Sequence, residues 1–287
     1  MGHAKVLRKI LAEERTILVP GCYDAFSAKI LKQAGFKVIY MSGSAVTASL
    51  TGMPDVGVLT MTEMVNQARN IVNATDLPVI CDADNGYGNP INVVRTVKEY
   101  ERVGVAGIHI EDQVAPKKCG HFEGKQVISA EEMVKKIEAA LYAREDKDFL
   151  LIARTDARTV VGLEEALKRA RLYADAGADM IFLESPLSME ELKILSGTLH
   201  DVWLLVNMVE GGKTPVLAFE ELEKLGFKIV LYPTSGIRAV AKTLQEVAAH
   251  LYDDKYPRAF EDKLITFEGS NRITGLSDIV ELERRFV

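Results

Sequence analysis

The side chains with chemistry to offer are two aspartates one residue apart, a glutamate, an arginine, and a cysteine flanked by cations. Asp82 and Asp84 lie in the run Cys81-Asp82-Ala83-Asp84-Asn85-Gly86-Tyr87-Gly88, which follows an apolar stretch. In an extended chain, alternation puts both carboxylates on one side, where they repel each other unless a cation lies between them. Oxygen-only ligation favours Mg²⁺, with Mn²⁺ as an alternative. Glu111, at the end of the next apolar stretch, can add a further oxygen directly or through water. Taken alone, Asp-X-Asp is a common solvated turn. Beside Glu111 and Arg154 it reads as a metal site.

Lys117-Lys118-Cys119-Gly120-His121 occupies the long connection between Gln113 and Ser129, a length that suits a lid. Two lysines and a histidine beside the thiol predict a thiolate-favouring pKa, below the ordinary ~8.5. A thiol so tuned by Lys117 and His121 can give a proton to a carbanion near neutral pH. On an isolated surface loop the same residues would be only an exposed thiol among cations. Arg154 can clamp a carboxylate with two parallel hydrogen bonds, or can be the ion-pair partner of Asp156 or Glu184. Cys22, Cys81 and His109, all on apolar stretches, read as core residues.

The elements that must position these groups alternate. Short apolar runs at Ile17–Asp24, Val38–Gly43, Pro78–Asp84, Gly107–Gln113, Phe149–Asp156, Met180–Ser185, Trp203–Met208 and Lys228–Pro233 predict strands. Helical periods fill the gaps at Ala25–Ala34, Thr60–Ala74, Pro90–Val103, Ala130–Ala143, Leu163–Ala176, Ser188–Leu195, Phe219–Leu225 and Ser235–Leu251. Proline at the start of one helix and glycines just past others fit helix termini, and Ser129 with Glu132 fits a capping box. Eight strand–helix units with continuously apolar strands predict an α/β fold, a (β/α)₈ TIM-type barrel spanning residues 1–287 as one domain. From about residue 256 the alternation stops, and Gly275–Phe286 reads as an extra C-terminal helix. Its Leu276, Ile279, Leu282 and Phe286 recur at helical spacing and need a partner surface. In such a barrel, catalytic groups stand at the C-terminal strand ends. There the sequence places Tyr23–Asp24, Tyr40, Ser42–Gly43, Asp82, Asp84, Glu111–Gln113, Arg154, Asp156, Glu184, Asn207 and Tyr232. One polar residue could be a helix cap; one at every strand end predicts a shared polar mouth.

Composition narrows the class. Against 41 acidic residues stand 35 basic ones, a net charge of −6, which argues against a nucleic-acid partner. No apolar run approaches the ~20 residues of a membrane span, so no membrane role is expected. The first residues, MGHAKVLRKILAEE, read as an amphipathic helix rather than a secretory signal. Three cysteines without metal-type spacing fit a reducing, cytoplasmic setting.

At these residues the chain resembles the isocitrate lyase / phosphoenolpyruvate mutase superfamily, from about Lys5 to the C-terminus. The matching segments are Pro20–Asp24, Tyr40–Gly43, Pro54-Asp55, Asp82–Asp84, His109–Gln113, Lys117–His121, Ala153–Asp156 and Asn207–Pro215. The resemblance implies Mg²⁺ near Asp82 and Asp84, with Glu111 one layer further out. It implies that Ser42, Gly43, Ser44 and Arg154 hold the substrate carboxylate, with Gly120 beside them. It puts Tyr40 and Asp55 beside the reacting hydroxyl, and Glu184 and Asn207 on the far side. Within the superfamily, the Cys119 loop separates lyases from phosphonate-forming mutases. The implied activity is cleavage of a small substituted 2-hydroxy dicarboxylate, 2,3-dimethylmalate-like or 2-methylisocitrate-like, to a 2-oxo acid and a carboxylic acid. Methylisocitrate lyases typically carry a phenylalanine near Gly211, which tilts the resemblance toward the lyases of substituted malates, some of which act on oxaloacetate. The resemblance also implies a homotetramer with a C-terminal helix swapped between paired subunits. A phosphonomutase and a non-catalytic dicarboxylate-binding protein are the rival readings; the intact Asp82, Asp84, Cys119 and Arg154 set disfavours the second.

Overall fold

A computed structural model describes residues 2–253 and 257–287, without the side chains of 257–259. Tyr256, at the start of the expected extension, lies outside them. Eight parallel strands close into a barrel in sequence order: β1 (Ile17–Cys22), β2 (Ile39–Met41), β3 (Val79–Asp82), β4 (Gly107–Glu111), β5 (Leu150–Thr155), β6 (Met180–Leu183), β7 (Trp203–Asn207) and β8 (Ile229–Tyr232). Closure is made by β8 against β1, from Ile17 opposite Ile229 to Pro20 opposite Tyr232.

All eight expected strands are present, and most stop a residue or two earlier than the apolar pattern suggests. Alternation then sorts the side chains. Val19, Ile80, Ile152, Phe182, Leu205 and Leu231 fill the barrel, while Val79, Cys81, Ile108, Ala153 and Val206 pack outward under the helices. The N-terminal helix His3–Glu13 puts Leu7 and Leu11 into the inner cluster, so one end of the barrel is plugged by apolar side chains. At the other end the inward positions turn polar.

The eight expected helices are present, with ends within three residues of expectation. Ser129 caps the Ala130–Ala143 helix by accepting from the Glu132 N–H. Gly43–Thr51 was expected as the end of a strand and a loop but is a helix, capped by Ser42 at its start and by Gly52 at φ 67° at its end. Small and β-branched residues give it weak propensity, so tertiary packing of Ala45 and Val46 must hold it.

After β8 the helix Ser235–Asp253 buries none of its residues, and Val240, Leu244 and Leu251 are exposed. Leu18 on β1 and Phe26 and Ile30 on the next helix are also uncovered. The expected C-terminal helix is Leu276–Phe286, preceded by a helix over Phe267–Thr274. Leu276, Ile279, Leu282 and Phe286 all lie exposed on this chain. Among the described residues no helix is long and apolar enough to cross a membrane.

Candidate active site

The inward-facing positions just above the apolar layer are Tyr40 and Ser42 on and after β2, Asp82 on β3, Glu111 on β4, Arg154 on β5, Glu184 after β6 and Asn207 on β7. One register of alternation therefore aims side chains from six strands at a common centre. The loop over residues 113–128 folds across them and supplies Cys119, Gly120 and His121. Between lid and barrel lies a cavity of about 60 Å³ that also touches Ser44 and Asp55. That leaves room for a few water molecules. Val209, Pro233 and Thr234 complete its wall. Those three were not anticipated, because nothing in their residue types signals chemistry.

Gly43 is expected at the carboxylate site, and its backbone is pressed there: a Cβ on it would stand 2.5 Å from Asp82 Oδ2. Ser42 and Ser44, at the start of its helix, line the cavity, and a helix start favours an anion.

Asp84 stands elsewhere than expected. β3 ends at Asp82, and Asp84 takes a left-handed φ of 48° instead of continuing the alternation. Its backbone N–H donates to Asp82 Oδ1 at 2.9 Å, and its own carboxylate lines a second, outer cleft of about 450 Å³. Lys117 joins the two sides: its Nζ lies 2.6 Å from both Asp55 Oδ1 and Asp84 Oδ1. Burial, with Asp82 and Asp55 nearby, pushes Asp84 up to about 6. Burial opposes the charge on Asp82 too, but His109, Lys117 and Arg154 hold it at about 2.

Arg154 is pinned. Its Nε and Nη2 donate to Asp156 at 2.8 and 3.2 Å, and its guanidinium lies over the Phe182 ring at 4.9 Å. Glu184 Oε2 is 3.4 Å away, and Glu111 Oε2 is also 3.4 Å away. Both Glu111 oxygens are buried without a hydrogen bond, and burial raises its pKa well above the carboxylate range. Asn207 donates to Glu184 Oε2 at 3.1 Å.

The Cys119 thiol corrects an expectation. Its pKa is pushed up to about 11, chiefly by burial and then by Asp55, rather than lowered by the neighbouring cations. Lys117 is engaged by Asp55 and Asp84, and Lys118 points outward to the carbonyls of Glu123 and Gly124. His121 is itself kept neutral by burial. The thiol is thus held protonated, as a proton donor must be before it acts.

His109 is a fully buried core residue, as expected, but belongs to the site as well. Its Nε2 is 2.8 Å from the Tyr40 phenol and 3.6 Å from Asp82 Oδ1. Behind Asp156 stands Asp112, whose carboxylate accepts from Asp156 N, Thr155 Oγ1, Tyr173 Oη and Arg169 Nη1.

The charges test whether a divalent cation fits. Among the described residues, the carboxylates of Asp55, Asp82, Asp84, Asp156 and Glu184 face three lysine or arginine cations, Lys117, Lys125 and Arg154. A dianionic ligand would make that balance worse, and an added cation repairs it. Among the described residues no three His, Cys, Asp or Glu side chains converge to ligate one ion. A divalent cation here would take one or two carboxylates and complete its shell with waters.

Comparison with known proteins gives a consistent set of relatives. The family model for phosphoenolpyruvate phosphomutase matches residues 7–252. A 2,3-dimethylmalate lyase of Eubacterium barkeri is 47% identical over 286 residues, covering 100% of this chain and 99% of the relative. Among solved structures, an oxaloacetate acetylhydrolase bound to 3,3-difluorooxalacetate superposes with a TM-score of 0.94 at 38% identity, over 99% of this chain and 96% of that one. A phosphonopyruvate hydrolase in complex with oxalate and Mg²⁺ superposes with a TM-score of 0.90 at 30% identity, over 100% of this chain and 99% of that one.

Proposed function

The chain belongs to the phosphoenolpyruvate phosphomutase family, in the superfamily shared with isocitrate lyase, and from that membership and the geometry of its site we propose that it is a Mg²⁺-dependent carbon–carbon lyase. Its substrate is a small substituted 2-hydroxy dicarboxylate of the 2,3-dimethylmalate or 2-methylisocitrate kind. The products are a 2-oxo acid such as pyruvate and a simple carboxylic acid.

One observation carries the reading. A protonated thiol, Cys119, shares one cavity with Arg154 and with Asp82. Bond cleavage beside a carboxylate leaves a carbanion on the departing fragment, and that fragment needs a proton from a group that water cannot replace. Asp82 and Asp84 would hold the cation, with Glu111 behind them, and a relative solved with oxalate and Mg²⁺ supports a divalent cation in a site of this family. The cation supplies Lewis acidity to the substrate hydroxyl and to the carbonyl that develops from it.

The chain's own residues do the remainder. Arg154 and the start of the Gly43–Thr51 helix bind a substrate carboxylate. Burial, then Asp82, raises the Tyr40 phenol well above its ordinary pKa, so Tyr40 stays a hydrogen-bond donor. Asp55, at the cavity wall, is then the group placed to accept the hydroxyl proton. Negative charge gathers on the leaving fragment as an enediolate beside Arg154. Cys119, on the lid at the cavity wall, protonates it.

The uncovered faces of Ser235–Asp253 and Leu276–Phe286 support pairing of subunits through these helices, and a homotetramer built from such pairs. Free thiols at Cys22, Cys81 and Cys119 suit a reducing cytoplasm.

The test is a Mg²⁺-dependent screen of 2,3-dimethylmalate, 2-methylisocitrate, isocitrate, citramalate and oxaloacetate, with detection of the 2-oxo acid or, for oxaloacetate, of oxalate. Release from none of them, together with phosphonate formation from a phosphoenolpyruvate-type substrate, would replace the lyase by the mutase reading.

A further inference from the structure

We propose that Lys125 is the latch that holds the Cys119 lid closed and ties that closure to the Arg154 clamp. Lys125 is buried, while its lid neighbours Phe122, Glu123, Gly124 and Gln126 are all exposed, so this one side chain turns inward from a solvated strap. Its ammonium donates at 2.5 Å to the Gly120 carbonyl, next to Cys119, and at 2.8 Å to Asp156 Oδ1. Asp156 is the same carboxylate that grips Arg154 through Nε and Nη2. One cation thus joins the lid residue beside the thiol to the counter-ion of the substrate clamp.

Simple neutralisation of Asp156 does not account for this placement. Arg154 already pairs with both Asp156 oxygens, and a lysine present only for charge balance has no need of the Gly120 carbonyl. That carbonyl is fixed a second time by Ser185 Oγ at 3.3 Å, from a residue held at the left-handed φ of 58°. Gly120 sits so close to the clamp that a Cβ on it would stand 2.6 Å from Arg154 Nη2. When the lid lifts, Gly120 leaves this seat together with Lys125, and the ammonium loses Asp156, its partner outside the lid. Closing the lid and aligning Arg154 are therefore one event, with Lys125 acting through its neighbours as a positioning residue and touching no substrate.

The decisive readout needs no turnover. Cys119 alkylation by iodoacetamide is followed in the ligand-free protein for wild type, Lys125→Met and Lys125→Arg, with Lys125→Gln beside Met to cover a variant that folds poorly. Circular dichroism verifies the fold of each. With the latch removed, lid opening becomes more frequent and alkylation accelerates by about tenfold or more, while Lys125→Arg stays within about threefold of wild type. The sign is diagnostic. Loss of a nearby cation disfavours the thiolate and would by itself slow the reaction, so only exposure can speed it. The kinetic arm rests on the lyase reading: Lys125→Met lowers kcat about tenfold in the wild-type background and by a smaller factor once Cys119→Ser has removed the donor it positions, the share that acts through Arg154 remaining. A folded Lys125→Met or Lys125→Gln protein that alkylates at the wild-type rate overturns the latch, as does an equal kcat loss in both backgrounds. Failure of wild type to release a 2-oxo acid, or oxalate from oxaloacetate, refutes the lyase reading and leaves the alkylation arm to decide the latch.

Discussion

The phenol of Tyr40 and Nε2 of His109 lie 2.8 Å apart beneath the cavity, stacked at an interplanar angle of 13°. His109 is fully buried, and burial lowers its pKa to about 4, so near neutrality it is an uncharged imidazole sharing one proton-bearing hydrogen bond with the phenol. Replacing it by leucine removes the partner and leaves a buried hydroxyl unsatisfied, which costs roughly 1–3 kcal/mol. His109→Leu is expected to unfold at lower urea concentration with an unchanged denaturant slope. Unchanged stability would mean that Tyr40 finds another partner.

The raised pKa of Cys119 gives a pH signature. Burial holds the proton on the thiol up to about 11, so the reactive thiolate is scarce at neutral pH. Its alkylation rate in the metal-free protein should climb about tenfold per pH unit from pH 7 to 10 without levelling off, whereas an ordinary cysteine levels near its pKa of ~8.5. A plateau at or below pH 8 would restore the thiolate expected from the neighbouring lysines.

Much of the site is legible because strand alternation is a strong constraint. Arg154, Glu184 and Asn207 were readable as polar ends of apolar strands, and register brings them together whatever the loops do. The lid is another matter. Lys117, Lys118 and His121 are sequence neighbours of Cys119, yet Lys117 and Lys118 point to other partners, and burial decides the thiol's pKa. Lys125 carried no signal, since one lysine on a polar loop looks solvated until its carboxylate partner is placed 31 positions away. The Gly43–Thr51 helix escaped for a similar reason: its residues favour helix weakly, and contacts with distant elements stabilise it.

Removing the metal carboxylates should separate binding from folding. Asp84→Ala removes a carboxyl that burial and its acidic neighbours push up to about 6, so thermal stability without metal should hold or rise, whereas Asp82→Ala removes a carboxylate that His109, Lys117 and Arg154 stabilise and should lower it. Turnover, and the stabilisation that Mg²⁺ gives the wild type in a thermal melt, should both disappear. Full activity in excess chelator would remove the cation from the proposal.

Gly120→Ala probes the seat of the lid. The new methyl would stand 2.6 Å from both Arg154 Nη2 and Glu184 Cγ, and Arg154 is pinned by Asp156 and cannot yield cheaply. The lid must ride up, and misplacement of a catalytic group by about 1 Å can cost ~10²-fold in rate. Loss of kcat with a near-normal melting temperature is the expected result, because the strain falls on a loop rather than on the core.

The last prediction isolates Cys119 itself. Serine nearly matches cysteine in size, so Cys119→Ser leaves the cavity wall in place and changes the acidity of the donor. A hydroxyl ionises far less readily than even this thiol, whose pKa is pushed up to about 11, so the serine is a donor several units weaker. General acids contribute roughly 10²–10⁴-fold, about 3–5 kcal/mol of barrier, and kcat should fall by that range. In the proposed mechanism ground-state contacts belong to Arg154, to the Gly43–Thr51 helix start and to the cation, so affinity for oxalate with Mg²⁺, measured by calorimetry, should change little. If the thiol were only part of the wall, neither quantity would move. A Cys119→Ser enzyme that keeps more than about a tenth of the wild-type kcat therefore removes the thiol from the mechanism, since ~10²-fold is the smallest effect expected of a general acid.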